Sequence, residues 1–160
     1  MKTVSFYLFV FSLLMLNSCS KSPACWGDDK DKGQIEKYYQ MKDVPVSIQY
    51  MLQDSGSLVA HDTTEFIDKL GDDFLMNDDK IKTFYRSVDF NNYSLLGFYA
   101  TGQCEVDFIR EVSINDETKT CHYSITRHQC GMCKSMRTEA NLILVPKLPK
   151  DYKVEFDYVE

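Results

Sequence analysis

The segment Lys153–Val159 near the end of the chain alternates between charged and apolar residues. Three apolar side chains share one side of an extended strand and three charged side chains share the other: Val154, Phe156 and Tyr158 against Lys153, Glu155 and Asp157. Successive side chains of a strand point to opposite faces. The pattern therefore predicts a half-buried antiparallel strand, with one face on the core and the other in solvent.

Four further segments are predicted as strands from their aromatic and β-branched content: Tyr93–Tyr99, Val106–Ile114, Cys121–Thr126 and Asn141–Val145. The 10 Tyr and 10 Phe residues of the chain suit a sheet-rich core. The polar tetrapeptide Asn115–Thr118 indicates a hairpin turn between two of these strands. Val44–Leu52 alternates in part, and we predict it as the first strand.

A single short helix is predicted after Asp62. Asp62 and Glu65 have the spacing of a capping box, apolar residues recur at Phe66 and Leu70, and Gly71 follows. The charged run 72–79 is predicted as a solvated loop, and the character of the chain turns to β from Tyr85. The fold class that follows is α+β, a predominantly antiparallel sheet with one short amphipathic helix packed on it.

The chain begins with three parts typical of an export signal: a positive charge at Lys2, the uncharged run Val4–Leu16, and a cysteine at position 19. The run is too short to span a bilayer, which needs about 20 apolar residues. Leu16-Asn17-Ser18-Cys19 resembles the lipobox of bacterial lipoprotein signals. That resemblance implies that residues 1–18 are removed and that acylated Cys19 anchors the protein in the lipid bilayer.

The residues after Cys19 bear on location and domain organisation. Ser20 stands where an Asp retains some lipoproteins in the inner membrane, and no acidic cluster follows directly. By that analogy the protein lies in the cell envelope, at the outer membrane and facing the periplasm. Residues 19–34 are polar and charged and are predicted as a flexible tether, with a single domain over 35–160. Asp28, Asp29 and Asp31 are interpreted as part of that solvated tether, with a cation site as the alternative.

Two segments carry a family resemblance: Asp89-Phe90-Asn91-Asn92-Tyr93-Ser94-Leu95-Leu96 and Leu144-Val145-Pro146-Lys147-Leu148-Pro149. Both resemble small, uncharacterised lipoproteins of Bacteroidetes-type bacteria, and the β region is faintly similar to the C-terminal domain of the PrcB protease-complex family. The resemblance implies a strand-rich domain. It implies no catalytic residues, because a shared fold does not carry function by itself.

Five cysteines follow Cys19, which is an odd number for an exported protein. Cys130-Gly131-Met132-Cys133 resembles a thioredoxin motif, but it comes late in the chain and after a hairpin. If the hairpin turn centres near Asp116-Glu117, Cys104 lies opposite Gln129 or Cys130, within reach of a disulfide. We therefore predict a structural disulfide from Cys104 to Cys130 or Cys133. Three cysteines are left over: Cys25 as the odd thiol, the unused cysteine of the motif, and Cys121 as a buried free thiol or as the partner of that unused cysteine.

A zinc site is a further alternative for the same region, where five potential ligands are close in sequence: Cys121, His122, His128, Cys130 and Cys133. Adjacent residues of a strand point to opposite faces, so at most one of Cys121 and His122 can join such a site. No metal or other cofactor is therefore predicted.

The chain carries no familiar catalytic motif, which favours a protein without enzymatic activity. Its net charge of −6 argues against a nucleic-acid partner. The three histidines are interpreted as non-catalytic. A small basic cluster is interpreted as an ordinary loop, or alternatively as a contact site for an acidic partner: Arg127, His128, Lys134 and Arg137. The prediction is a lipid-anchored binding or accessory module of unknown activity, with a thiol–disulfide redox protein using Cys130 and Cys133 as the alternative.

Overall fold

The computed structural model describes residues 29–71, 79–103, 106–129 and 135–159. These residues form an α+β fold, as predicted. The strands are β1 Lys30–Gly33, β2 Lys37–Tyr39, β3 Ser57–Ala60, β4 Tyr93–Phe98, β5 Ala100–Gln103, β6 Val106–Asn115, β7 Thr120–Gln129, β8 Met136–Glu139, β9 Leu142–Pro146 and β10 Lys153–Val159. The α-helices are α1 Val46–Ser55, α2 Thr63–Leu70 and α3 Asp79–Arg86, and a 3-10 turn covers Met41–Asp43.

The elements stack in three layers. One sheet has the strand order β1-β6-β7-β10 and the second has the order β2-β9-β4-β3, while β5 and β8 form a two-stranded ladder. One core joins the three helices to the second sheet, and a separate core lies between the two large sheets. The second sheet is therefore covered on both faces.

Strand β9 shows how the sequence encodes this position. Leu142 and Leu144 belong to the core under the helices, whereas Ile143 and Val145 belong to the core between the sheets. All four side chains are buried. A strand covered on both faces has a continuous apolar run instead of an alternating one.

The strands predicted after residue 90 are confirmed, with shifts at some ends. The β6–β7 hairpin is antiparallel and turns over residues 116–119, where the Asn115 side chain accepts hydrogen bonds from two backbone N–H groups. Val106 lies opposite Gln129, where the predicted turn centre would have placed Arg127 or His128. The register prediction was wrong because the turn includes Lys119, whose φ is 52°.

Strand β10 has the predicted bounds, but its direction was predicted wrongly. It pairs with β7 in parallel, with Val154 opposite Cys121 and Tyr158 opposite Ile125. Its apolar side chains pack against the core between the sheets, as the alternation indicates. Alternation determines which face of a strand is buried and carries no information on strand direction.

The predicted strand Val44–Leu52 is wrong, because most of this segment forms helix α1. Ile48 and Leu52 are fully buried and lie four residues apart, which places them on one helical face. Pro45 precedes the first helical residue, with φ −53° and ψ 139°. Proline is tolerated at the start of a helix, where an N–H would have no intrahelical partner.

Helix α2 is confirmed, and α3 is an element that the sequence prediction missed. The Asp62 side chain caps α2 by accepting from the Glu65 N–H at 2.9 Å, and Gly71 follows the helix with φ 79°. Residues 72–78 of the predicted loop lie outside the described residues. Residue 79 begins α3, which buries Ile81 and Phe84, so the expected turn to β character at Tyr85 is wrong.

The predicted tether is wrong for its last six residues, because 29–34 belong to the domain. Strand β1 pairs in parallel with β6, with Lys30 opposite Ile109 and Gly33 opposite Val112. Gly33 has a φ of +73°, and a Cβ there would lie 1.9 Å from the Val112 carbonyl oxygen. Residues 1–28 lie outside the described residues. No helix among the described residues is long and apolar enough to cross a membrane.

Candidate functional site

Most of the predicted site residues lie outside the described residues: Cys19, Cys25, Cys104, Cys130, Cys133 and Lys134. The predicted anchor, disulfide and redox pair therefore stay predictions. Cys121 is described, on β7, as a free thiol with no exposed surface. Burial raises its pKa to about 11. A buried, protonated thiol is not a nucleophile, so Cys121 is a packing residue.

The three histidines lie in two parts of the fold. His61 precedes α2, while His122 and His128 lie on β7. His122 is 45% exposed and its Nδ1 lies 3.1 Å from a Glu155 carboxylate oxygen, on the opposite face from buried Cys121. No group of three or more potential ligands that could hold a metal ion occurs within the described residues.

Lys134 of the basic cluster predicted around the cysteine motif lies outside the described residues, and Arg137 of that cluster is paired with carboxylates. The Arg137 guanidinium lies 2.8 Å from Asp29 and 2.5 Å from Glu139. The Arg127 guanidinium lies 5.9 Å from the centre of the Tyr158 ring. The charge of Arg137 is already balanced by carboxylates, which removes the main support for a docking site at this loop.

Arg110 on β6 is the most deeply buried charge in the described residues, with 1% of its side chain exposed. Its Nε donates to Asp31 at 2.6 Å and its Nη1 donates to Asn141 at 3.0 Å. Its guanidinium also stacks on the Tyr38 ring, 3.6 Å from the ring centre. Burial opposes the charged form, but the hydrogen bond with Asp31 and the electrostatic contributions of Tyr38, Asp31 and Asp29 together outweigh it, so the pKa of Arg110 is raised.

Asp29 and Asp31, two of the acids interpreted as a solvated tether or a cation site, are therefore counter-ions, and Asp28 lies outside the described residues. Asp31 pairs with Arg110, and Asp29 pairs with Arg137 while accepting from the Phe108 N–H at 3.0 Å. Breaking a buried ion pair leaves an uncompensated charge and is strongly destabilising. This arrangement holds β1 on the sheet and is structural.

A histidine–carboxylate pair lies at the start of α2. The Nδ1 of His61 lies 2.8 Å from Glu65, which also accepts from the His61 N–H, and Lys150 lies 2.9 Å from the same carboxylate group. Burial alone would raise the pKa of Glu65, but the hydrogen bonds from Lys150 and His61 lower it to about 2. His61 Nε2 is buried without a described partner. None of these residues lines the cleft described next, and no nucleophile accompanies the pair.

A cleft of about 690 Å³ opens between α3 on one side and β2, the 3-10 turn and the start of α1 on the other. Its volume falls in the range of small-molecule sites, about 300–1,000 Å³. The lining residues come from two stretches of chain: Lys37–Tyr39, Lys42–Val46 and Gln49 from the first, and Asp79, Lys80, Thr83, Phe84 and Ser87 from the second.

Tyr39 is the distinctive residue of this cleft. It is 5% exposed, its ring lies 5.0 Å from that of Phe84, and its hydroxyl is buried with no hydrogen-bond partner in the described structure. Burial raises the pKa of Tyr39, and a weak hydrogen-bonding interaction with the Ser87 side chain, outside strict hydrogen-bond geometry, offsets part of that rise. The Ser87 hydroxyl itself donates to the Phe84 carbonyl. Buried polar groups are nearly always paired, so the Tyr39 hydroxyl calls for an explanation.

The start of α1 also faces this cleft through Pro45 and Val46. No side chain caps the helix, and its first turn carries no acidic residue. Ile48 and Gln49 both donate to the Pro45 carbonyl, which leaves the N–H groups of Val46 and Ser47 without a described partner. A helix start of this kind presents uncompensated donors and a partial positive charge.

Three lysines line the cleft: Lys37, Lys42 and Lys80. The Nζ of Lys37 lies 4.4 Å from the centre of the Tyr39 ring. Two acids, Asp43 and Asp79, also line it, and Asp79 lies 3.4 Å from Lys82 outside the lining. The cleft thus has a local cationic excess on a protein whose net charge is −6.

Sequence reasoning missed this site because it assigned the segment around Pro45 to a strand and the segment around Phe84 to loop and β structure. The detectable signal was the proline followed by Ile48 and Leu52 at helical spacing. No local pattern could show that α3 packs beside β2, since more than 30 residues separate them in the chain.

Comparison of the chain with known proteins gives no match to a family model, to a curated protein or to a solved structure.

Proposed function

We propose that this protein is a lipid-anchored binding module whose ligand occupies the cleft between β2, α1 and α3. The observation that carries the proposal is the cleft itself, which has the size of a small-molecule site and is lined by Tyr39, a residue with a buried hydroxyl outside strict hydrogen-bond geometry. An unpaired buried hydroxyl costs about 1–3 kcal/mol, and a ligand that hydrogen-bonds to it would recover much of that energy.

The lipid anchor and the cell-envelope location inferred from the export signal are part of the same proposal. Acylated Cys19 would hold the protein in the bilayer of the cell envelope, at the outer membrane with the domain facing the periplasm. Because β1 is part of the domain, only residues 19–28 are left as tether. Ten residues span at most about 36 Å when fully extended. The cleft would therefore work close to the membrane surface.

The predicted disulfide from Cys104 to Cys130 or Cys133 is part of the same proposal, as a structural cross-link. Two described strand pairs flank these cysteines: Gln103 with Met136, and Val106 with Gln129. Both chain segments are therefore held on neighbouring strands before and after the cysteines, which supports the proposed disulfide. Peptide mapping without reduction should recover Cys104 bonded to the motif. A bond between Cys130 and Cys133 would favour the redox alternative instead.

Native mass spectrometry of protein extracted from its own membranes tests the binding function. We expect a bound small molecule with the wild type and its loss in Thr83→Trp, because Thr83 is an exposed lining residue and the indole would occupy the cleft. Arg86→Trp is the matched control, on the same helix but outside the lining. A ligand retained equally by all three proteins would contradict the proposed site.

Membrane fractionation tests the anchor separately. The wild type should sediment with membranes and incorporate labelled palmitate, and Cys19→Ser should do neither. A Cys19→Ser protein that still behaves as acylated would refute the lipid anchor at Cys19. It would not affect the proposal that the cleft binds a ligand.

A further inference from the structure

We infer that the ligand of this cleft is a small organic anion, with its carboxylate or phosphate at the start of α1 and its apolar body against Tyr39 and Phe84. The inference rests on the proposed function, since it names the ligand class of the same cleft. Three independent features of the lining support it: the helix start, the charges and the apolar floor.

The start of α1 supplies the anion donors. The N–H groups of Val46 and Ser47 have no described partner, no side chain caps this end, and the first helical turn contains no acidic residue. Free N–H groups at a helix start bind phosphate or carboxylate readily, because the donors and the helix dipole act together. The start of α3 differs, since Asp79 already places a carboxylate in its first turn. The anion therefore belongs at α1.

The lysines extend this preference across the cleft. Lys42 precedes the α1 start by four residues, and Lys37 and Lys80 line the same space. Lys37 and Lys42 form no ion pair with a carboxylate of the described structure, whereas Asp79 lies next to Lys82. Asp43 also lines the cleft, so Lys37 and Lys42 against Asp43 leave one net positive charge, which favours an anion over a cation. Charge-assisted hydrogen bonds of this kind are about twice as strong as neutral ones.

The apolar side chains of the cleft lining indicate that the ligand is larger than an inorganic ion. The Tyr39 and Phe84 rings are in contact at 5.0 Å between centres, and Val44 and Pro45 add buried apolar surface. A volume of about 690 Å³ greatly exceeds what a bare phosphate fills.

Isothermal titration calorimetry with three probes tests the inference on the folded domain. Phenyl phosphate and benzoate represent the two anion sources, and benzyl alcohol is the neutral probe of similar shape. We expect at least one anion to bind tighter than about 10 mM and benzyl alcohol at least tenfold more weakly. Lys42→Gln should weaken anion binding about fivefold to tenfold, whereas Lys69→Gln, an exposed lysine of α2, should not.

The outcomes separate the ligand class from the proposed function. Equal binding of benzyl alcohol, with no effect of Lys42→Gln, would overturn the anionic class and leave a binding cleft in place. Binding of neither anion would overturn the inference, and native mass spectrometry would then decide whether the cleft holds a ligand at all. Which of benzoate and phenyl phosphate binds more tightly distinguishes a carboxylate ligand from a phosphate ligand.

Discussion

Replacement of Tyr39 by phenylalanine removes one oxygen atom and leaves the ring in place. In most cores this change destabilises the protein, because the hydroxyl has a partner that loses its hydrogen bond. Here the hydroxyl is buried and no described group bonds to it. We therefore expect the ligand-free Tyr39→Phe protein to be more stable than the wild type.

The magnitude follows from the surroundings of the ring. Leaving a buried hydroxyl unpaired costs about 1–3 kcal/mol, and its removal recovers that cost less the small loss of packing. The contact with Phe84 at 5.0 Å is unaffected, and the Lys37 ammonium stays over the ring. The expected gain is about 1 kcal/mol, which raises the melting temperature by about 3–6 °C in a domain of this size.

Urea unfolding followed by circular dichroism measures this difference, and Tyr123→Phe is the matched control. Tyr123 is fully buried too, but its hydroxyl donates to the Asn141 carbonyl at 2.8 Å. Tyr123→Phe should lose about 1–2 kcal/mol. The two substitutions are chemically identical and should change the free energy of unfolding in opposite directions. A loss of about 1 kcal/mol or more in Tyr39→Phe would refute the argument, since it would mean that the hydroxyl has a protein partner.

Three other predictions test the ion pairs and the buried core of the fold. Asp31→Asn should lower the free energy of unfolding by about 2 kcal/mol, because Arg110 is 1% exposed and loses its 2.6 Å ion pair. Lys32→Gln on the same strand is the control and should change the free energy of unfolding by less than about 0.5 kcal/mol. Equal effects of the two substitutions would restore the tether interpretation. Glu65 has its pKa lowered to about 2 from an ordinary 4.5, so its stabilisation is complete above pH 4.5 and is lost as the pH falls towards 2. With 30% of the side chain exposed, the loss should be about 1–2 kcal/mol in urea titrations, and it should be absent in Glu65→Gln. Cys121, with no exposed surface, should resist iodoacetamide in the native protein and react after denaturation, as mapped by mass spectrometry; native labelling would contradict its burial.

The sequence predicted best where a pattern is strong and local. β10 was found at its correct bounds from alternation alone, and α2 from its capping residue and Gly71. The segment of α1 was assigned to the wrong type because its Val, Ile and Tyr residues favour strands, while only Ile48 and Leu52 carry the helical spacing. Packing against the sheet outweighed these local preferences.

Elements held by distant partners could not be predicted from local patterns. Strand β1 has four exposed residues and no apolar pattern, and it is held by ion pairs to residues 79 or more positions away. The cleft joins residues near Tyr39 to residues near Phe84, and its recognition depends on a missing hydrogen bond. Such an absence becomes visible only once the neighbours of the hydroxyl are known.

An amide chemical-shift map of the isotope-labelled domain titrated with phenyl phosphate and benzoate tests the central claim most directly. The account predicts saturable shifts that are largest at the Val46 and Ser47 amides, with smaller shifts along β2 and α3, and their loss in Thr83→Trp. Shifts that are confined to the β6–β7 hairpin and β10, or no shifts with either anion, would contradict the claim that this cleft is the binding site for an organic anion.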